Sequence, residues 1–228
     1  MIKDFLAKYD VFHNLEFNQI KYRPGAKNIS GFGIDTSLFS KKSLRLHIGV
    51  DSTWSYQSGY NIYAPFDIIK AEFLENIDNY QSLLILHTEY GFQIRVAFIE
   101  LNPQTIEAIK NSKPIKSGSL LGTCSSKGTN LGIHAHTEIV SNESNYTILD
   151  EILKEKFDES KINYNYSEKH IISYLNLAGI DISKGLEILN QEIQSLKIEL
   201  LNNNKCIKID YLTNQERIFY NSLALFGF

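Results

Sequence analysis

Three histidines and one aspartate carry the chemistry that this chain offers. His47-Ile48-Gly49-Val50-Asp51 sets an imidazole and a carboxylate four residues apart, and His134-Ala135-His136 sets two imidazoles two apart. Along a strand, residues i and i+2 project to one face. His134 and His136 therefore look out together, and His47 and Asp51 share a face unless Gly49 bends the chain. Imidazole nitrogen and carboxylate oxygen are zinc ligands, and a catalytic zinc site uses three protein ligands and keeps one position for water. His47, Asp51 and one histidine of the pair make such a triad. The other histidine then stands close to the metal, where it can take a proton from water or balance charge on a tetrahedral intermediate. Either motif alone is a common coincidence; their joint occurrence in one β-rich region is the stronger signal.

The elements that must position these residues are short and closely punctuated. All four prolines and ten of the thirteen glycines precede residue 133. Between them lie apolar and β-branched runs at 44–50, 62–64, 67–73, 83–87, 92–98, 120–123 and 135–140. Such runs predict an all-β sandwich or barrel. Asn102 as a cap and Pro103 at the first helical position predict one short helix reaching 110. The remainder, 146–228, has no proline and reads as helical. Ser167 can cap a helix that stops at Gly179, and Thr213-Asn214-Gln215-Glu216 has the form of a capping box opening a final helix. Leu186, Leu189, Ile193, Leu196 and Leu200 recur at spacings of 3 and 4, a stripe that packs within the protein or supports self-association or a protein partner. The polar connector 141–145 separates the two parts. The expected division is an N-terminal extension (1–27), a mainly β domain (28–145) and an α-helical C-terminal region (146–228).

Composition bounds the function. With 228 residues, 43% hydrophobic and 21% charged, the chain can bury a core and is not a wholly disordered polymer. Lysine and arginine number 23 against 26 acidic residues, for a net charge of −3, and the arginines are Arg23, Arg45, Arg95 and Arg217 alone. A general nucleic-acid binder needs a basic excess, so no nucleic-acid partner is expected. No run approaches the roughly 18 apolar residues of a membrane span. Asp4, Lys8 and Asp10 interrupt the start of the chain, where a signal peptide needs an apolar stretch. Two cysteines, Cys124 and Cys206, make no disulfide framework.

Several segments, in order, resemble the lysostaphin/LytM-type zinc metalloendopeptidase domain. They are Ser30-Gly31-Phe32-Gly33, the His47–Asp51 motif, Ala64-Pro65-Phe66-Asp67, Gly91-Phe92-Gln93-Ile94-Arg95, the turn around Gly118 and Gly122, and Gly128 through Ile139. The resemblance covers about residues 28–141. It implies an antiparallel β sandwich or barrel of the duplicated-hybrid-motif kind, with Zn2+ in an open groove and peptidoglycan peptides as substrate. Carried over by position, His47, Asp51 and His136 bind zinc and His134 is a catalytic histidine. The implied activity is zinc-dependent cleavage of peptide bonds in bacterial cell wall by metal-activated water. The alternative is a catalytically degenerate member acting as a cell-wall-binding, regulatory or structural module.

Two positions depart from the family pattern. A further catalytic histidine usually follows in a Tyr-x-His-Leu strand, where this chain reads Val96-Ala97-Phe98-Ile99-Glu100-Leu101. Phe98 or, after a shift of two, Glu100 falls on the histidine. Strand alternation would put both on one face, so Glu100 is expected either as a substitute base at the groove or as a solvated strand-end carboxylate. Asp35 stands where the family carries an arginine. Trp54, Tyr56 and Tyr60, with Tyr63, fall between Asp51 and Pro65; they either wall a substrate groove or pack their loop onto the sheet. His87 is expected to make a structural hydrogen bond, and His13 and His170 have no partner at ligand spacing. The missing export signal fits delivery by a phage particle or a lysis system, with action at the cell wall, and the high Lys, Asn and Ile usage fits an AT-rich phage or bacterial genome.

Overall fold

A computed structural model describes residues 27–30, 33–34, 46–53, 59–77, 80–125, 132–142, 145–153, 172–173, 175–176, 179–195, 198–201, 206–210 and 216–220; over 27–47 and 198–220 the backbone is what is described. The elements run β1 (Lys27–Ser30), β2 (Gly33–Ile34), β3 (Leu46–His47), β4 (Val50–Thr53), β5 (Asn61–Tyr63), β6 (Ile68–Ile77), β7 (Tyr80–Thr88), β8 (Gln93–Ala97) and β9 (Ile99–Leu101). Then follow α1 (Pro103–Lys110), β10 (Leu120–Cys124), β11 (Ala135–Ser141), α2 (Tyr146–Leu153), α3 (Ile182–Ser195), β12 (Ile198–Leu201), β13 (Cys206–Asp210) and β14 (Glu216–Tyr220).

The architecture is mainly antiparallel β, as the turn spacing predicts. One sheet of nine strands has the order β12-β13-β14-β11-β8-β7-β6, with β4 also on β11 and β1 on β4. A sheet of three strands, β5-β10-β9, lies apart from it, and β2 pairs with β3. Alternation writes most of the strands. In β8, Ile94 and Val96 are buried in the main core, and the alternate positions Gln93 and Arg95 are only partly covered. Leu84 and Leu86 of β7, Ile62 of β5, Ile99 of β9, Leu121 of β10 and Ile139 of β11 join the same cluster. The core thus draws side chains from both larger sheets, and each such side chain contributes about 1.5–3 kcal/mol on leaving water. Phe92 anchors one end of it, with Phe66 edge-on to its ring at 5.5 Å.

β11 holds the site strands together. Along one edge it pairs with β8 from His136↔Ala97 to Val140↔Gln93. The other edge is shared. Its first half takes β4, through Ala135↔Ser52, His136↔Asp51 and Thr137↔Val50. Its second half takes β14, from Ile139↔Tyr220 to Ser141↔Ile218.

The short helix lies where its cap predicts. Asn102 Oδ1 accepts from the Thr105 amide at 2.8 Å and Pro103 opens α1. The Asn102 amide also donates to the Leu120 carbonyl, which ties the helix to β10.

The C-terminal region corrects the sequence reading. It was expected to be helical; the described part holds α2, α3 and the three strands β12, β13 and β14. The box at 213–216 precedes a strand, not a helix. Cys206-Ile207-Lys208-Ile209-Asp210 and Arg217-Ile218-Phe219-Tyr220 are β-branched and aromatic runs, and β14 finds the open half of β11 to pair with. Leu200 therefore belongs to β12, opposite Ile207, and the leucine stripe ends with α3. Leu186 of that stripe is buried within the chain, and at its neighbour Gly185 the side chain of Leu175 leaves no room for a Cβ. Self-association through the stripe gains no support. Gly179 does end a helical turn: its φ is 65°, and the amides of Gly179 and Ile180 return to the carbonyls of Asn176 and Leu175. Ser167 lies outside the described residues. No described helix is long and apolar enough to cross a membrane.

Candidate metal centre

Residues opposite one another on paired strands face the same way, so the register of three strands assembles the site. One row runs Asp51 (β4), His136 (β11), Ala97 (β8), Leu83 (β7). The next row on that face runs Glu138, Arg95, Ile85, Glu72. Asp51 and His136, 85 residues apart in the chain, meet in the first row: His136 Nδ1 lies 2.8 Å from Asp51 Oδ1. His136 Nε2 lies 3.1 Å from Oε1 of Glu138, two residues further along its own strand. Glu138 in turn directs Oε2 at Arg95 Nη1, 3.7 Å away. Both imidazole nitrogens thus donate to carboxylates. Burial disfavours the charged ring, but the hydrogen bonds and charges of Asp51 and Glu138 outweigh it and raise its pKa from 6.5 to about 9.

The backbone closes in around this ring. A Cβ on Gly49 would stand 2.5 Å from the Thr137 carbonyl oxygen and 2.6 Å from His136 Cε1 and Nε2, so only glycine lets the chain pass there. β4 is itself held. Thr53 Oγ1 donates to the Ile133 carbonyl at 2.5 Å, and Tyr60 Oη donates to the Ser52 carbonyl at 2.9 Å. These bonds fix the residue after Asp51 and the segment before His134.

His134 shares the face of His136 by strand period. It is 3% exposed; Nδ1 donates to the Gly132 carbonyl at 3.0 Å and the ring packs against Phe98 with centroids 4.9 Å apart. With Nδ1 the donor, a neutral ring carries its lone pair on Nε2. Phe98 sits between β8 and β9 at φ 61°, a left-handed conformation that costs a bulky residue about 1–3 kcal/mol. It is held there by bonds from its own amide to the Ser82 carbonyl and from the Ser125 amide to its carbonyl.

That turn at Phe98 changes where Glu100 goes. Simple alternation would put residues 98 and 100 on one face. Instead Phe98 meets His134, while Glu100 pairs across to Thr123 in the smaller sheet and lines a cleft of about 560 Å³ with Phe73, Ser82, Leu101 and Ile106. None of Asp51, His134 and His136 lines that cleft. Tyr60 is 3% exposed and bonded to Ser52, packing its loop onto the sheet. Trp54 and Tyr56 lie outside the described residues, as do Asp35, His13 and His170. His87 makes its structural bond, Nε2 to Glu72 Oε1 at 2.8 Å. Cys124 is buried, with its sulfur accepting from the Tyr60 amide.

Among the described residues, no group of three His, Cys, Asp or Glu side chains is disposed to hold a metal ion. His47 is described through its backbone alone, in β3 opposite Gly33. The donor set still fits zinc in two respects: a carboxylate oxygen and an imidazole nitrogen face each other, and the second ring nitrogen is bonded to a carboxylate, the usual outer partner of a metal-binding histidine. Glu138 and Arg95 were given no role from the sequence, and Gly49 only as a point where the strand could bend. The signal for Glu138 was present: His134-x-His136-x-Glu138 continues one alternation.

No family model matches the chain, and no curated protein matches it. Solved structures similar to it include lysostaphin (16% identity over 69% of this chain, TM-score 0.43). Others are a zinc-containing peptidase from Vibrio cholerae (16% identity over 57%, TM-score 0.39) and a candidate glycyl-glycine endopeptidase LytM from Ruminococcus gnavus (14% identity over 63%, TM-score 0.36). The chain spans 54%, 37% and 58% of their respective lengths.

Proposed function

We propose that this chain is a zinc-dependent endopeptidase of the lysostaphin type that hydrolyses peptide bonds of bacterial cell wall. One observation carries the reading: the strand register brings Asp51 against His136, and these are two of the three ligands that the family resemblance assigns. His47 is the third. Bound by these residues, Zn2+ would supply Lewis-acid chemistry for hydrolysis. The chain supplies the rest. His134 offers Nε2 as a proton acceptor, because Nδ1–H is committed to the Gly132 carbonyl. Phe98 covers one side of that imidazole and keeps water from it. Peptidoglycan peptides are the substrate class that the resemblance implies.

A second reading is favoured by the burial of His134. A base that is 3% exposed with an aromatic ring against it has little room for a substrate. On that reading the chain is catalytically degenerate and serves as a wall-binding, regulatory or structural module.

Two measurements decide. Elemental analysis after zinc-replete expression should give about one zinc per chain, lost in His47→Ala and Asp51→Ala; a metal-free wild type ends the zinc reading. Zinc-loaded protein incubated with purified peptidoglycan should release new amino termini. Zinc without release, across several wall types, leaves the module.

A further inference from the structure

We propose that the outer edge of β6 docks an extended peptide of another protein, which adds as a further strand and sets one apolar and one basic side chain, two residues apart, into the cleft that Glu75 and Glu100 share. The site is separate from the candidate metal centre and does not depend on zinc.

The register shows which backbone groups are open. The Ser82 carbonyl accepts from the Phe98 amide and the Thr88 amide donates to the Phe92 carbonyl, so the even positions of β7 turn their backbone groups toward β8. The odd positions Leu83, Ile85 and His87 therefore bond to β6, through their opposites Leu74, Glu72 and Lys70. Ala71, Phe73 and Glu75 are left with amides and carbonyls on the far edge. β6 ends the nine-stranded sheet, and no described strand pairs with that edge; the single bridge of Ile68 to Ile115 touches only its start. α1 reaches the cleft through Ile106, but none of the described hydrogen bonds joins it to those three positions. β6 is ten residues long, and its register shift falls between Ile68 and Lys70, so the ladder runs regularly from Lys70 to Glu75. A long, regular edge is a template for another strand.

The cleft says what that strand carries. Phe73 and Glu75 line it from β6, and Leu101 and Glu100 line it from β9, the end strand of the three-stranded sheet. Opposite residues on paired strands face the same way, so a strand added to β6 turns the side chains opposite Phe73 and Glu75 into the cleft. The wall of Phe73, Leu101 and the exposed Ile106 suits an aliphatic residue at the first place. Lysine or arginine suits the second, because both glutamates are exposed and no lysine or arginine lines the cleft. A second copy pairing edge to edge would bring its own Glu75 to the same cleft, and like charges on facing strands repel. Main-chain bonds then give the affinity, and the alternate side chains choose the partner.

The test uses the full chain and a short, fluorophore-labelled synthetic peptide of alternating valine and threonine in which one valine is lysine. Fluorescence anisotropy reads binding, and amide hydrogen exchange reads its place. Exchange at Ala71, Phe73 and Glu75 should be fast in the free protein and slow with peptide. Glu75→Lys should weaken binding about tenfold, as should glutamate in place of the peptide's lysine. Methylating the peptide amides along one edge should abolish binding when that edge is the one that pairs. No binding, protection only elsewhere, or equal binding of the lysine and glutamate peptides overturns the proposal. So does protection of the three amides without peptide: at every protein concentration it means the chain covers its own edge, and rising with concentration it means a second copy does. Should Glu75→Lys prove unfolded by circular dichroism, the glutamate peptide decides. Zinc-loaded and metal-free protein should bind the peptide alike, so this outcome and the zinc reading stand or fall separately.

Discussion

Between Asp51 and Glu138 the buried His136 ring is pushed toward its charged form, and that has a consequence for the metal-free protein. The ordinary imidazole value is 6.5 and the folded value is raised to about 9. A group raised on folding contributes stability that is fully present below its unfolded value and is lost as pH climbs through its folded value. Metal-free protein should therefore lose melting temperature between pH 7 and 10, on the order of 5 °C. Asp51→Asn should flatten that slope, because it removes one of the two carboxylates that keep the ring charged. A melting temperature that stays level over this range in wild type would show the ring is neutral between its two partners. At this scale the sequence reading named both Asp51 and His136, the pair that the strand register brings together. Arg95 was not legible: that it stands beside Glu138 follows from the pairing of β11 with β8, and the sequence does not print strand pairing.

At the scale of elements, strands of alternating residues were readable because a half-covered strand must alternate; β5, β6, β7, β8, β10 and β11 all overlap the apolar runs. The exceptions have local causes. Phe98 at φ 61° breaks the alternation that would have carried Glu100 toward the histidines, and a non-glycine residue in that conformation leaves no trace in composition. The C-terminal strands were hidden because the helical stripe runs on to Leu200 in β12 and the box at 213–216 has the form of a helix start, whereas the open half of β11 rewards a strand. Gly49 shows the element scale acting on the site. It lies between β3 and β4, and its missing Cβ is what admits the His136 ring. Gly49→Ala should cost about 1–3 kcal/mol in urea unfolding, since the obstructing atoms include the Thr137 carbonyl, which cannot swing aside as a side chain end would. It should also weaken zinc uptake by turning the ring. An alanine variant with wild-type stability and wild-type zinc affinity would mean that β4 can move away from β11 at no cost.

For the molecule as a whole, β11 divides one edge between two strands with different duties. β4 pairs with residues 135–137 and brings Asp51; β14 pairs with 139–141 and comes from the far end of the chain. The nine-stranded sheet therefore joins the region of the site to the C-terminal region by backbone bonds at Val140↔Phe219 and its neighbours, while Asp51 is brought to His136 by β4 alone. A break in the first set should be felt as stability and a break in the second as loss of the site. Phe219→Pro tests the division, because proline donates no ladder hydrogen bond and is poorly tolerated inside a paired strand. Hydrogen exchange should speed up at the amides of Ile139 to Ser141, and the melting temperature should fall. Exchange at the His136 amide and zinc stoichiometry should stay as in wild type, since β8 and β4 still flank that end. If protection is lost evenly along all of β11, the sheet opens as one unit and the C-terminal strands are as necessary to the His136–Asp51 pairing as β4 is.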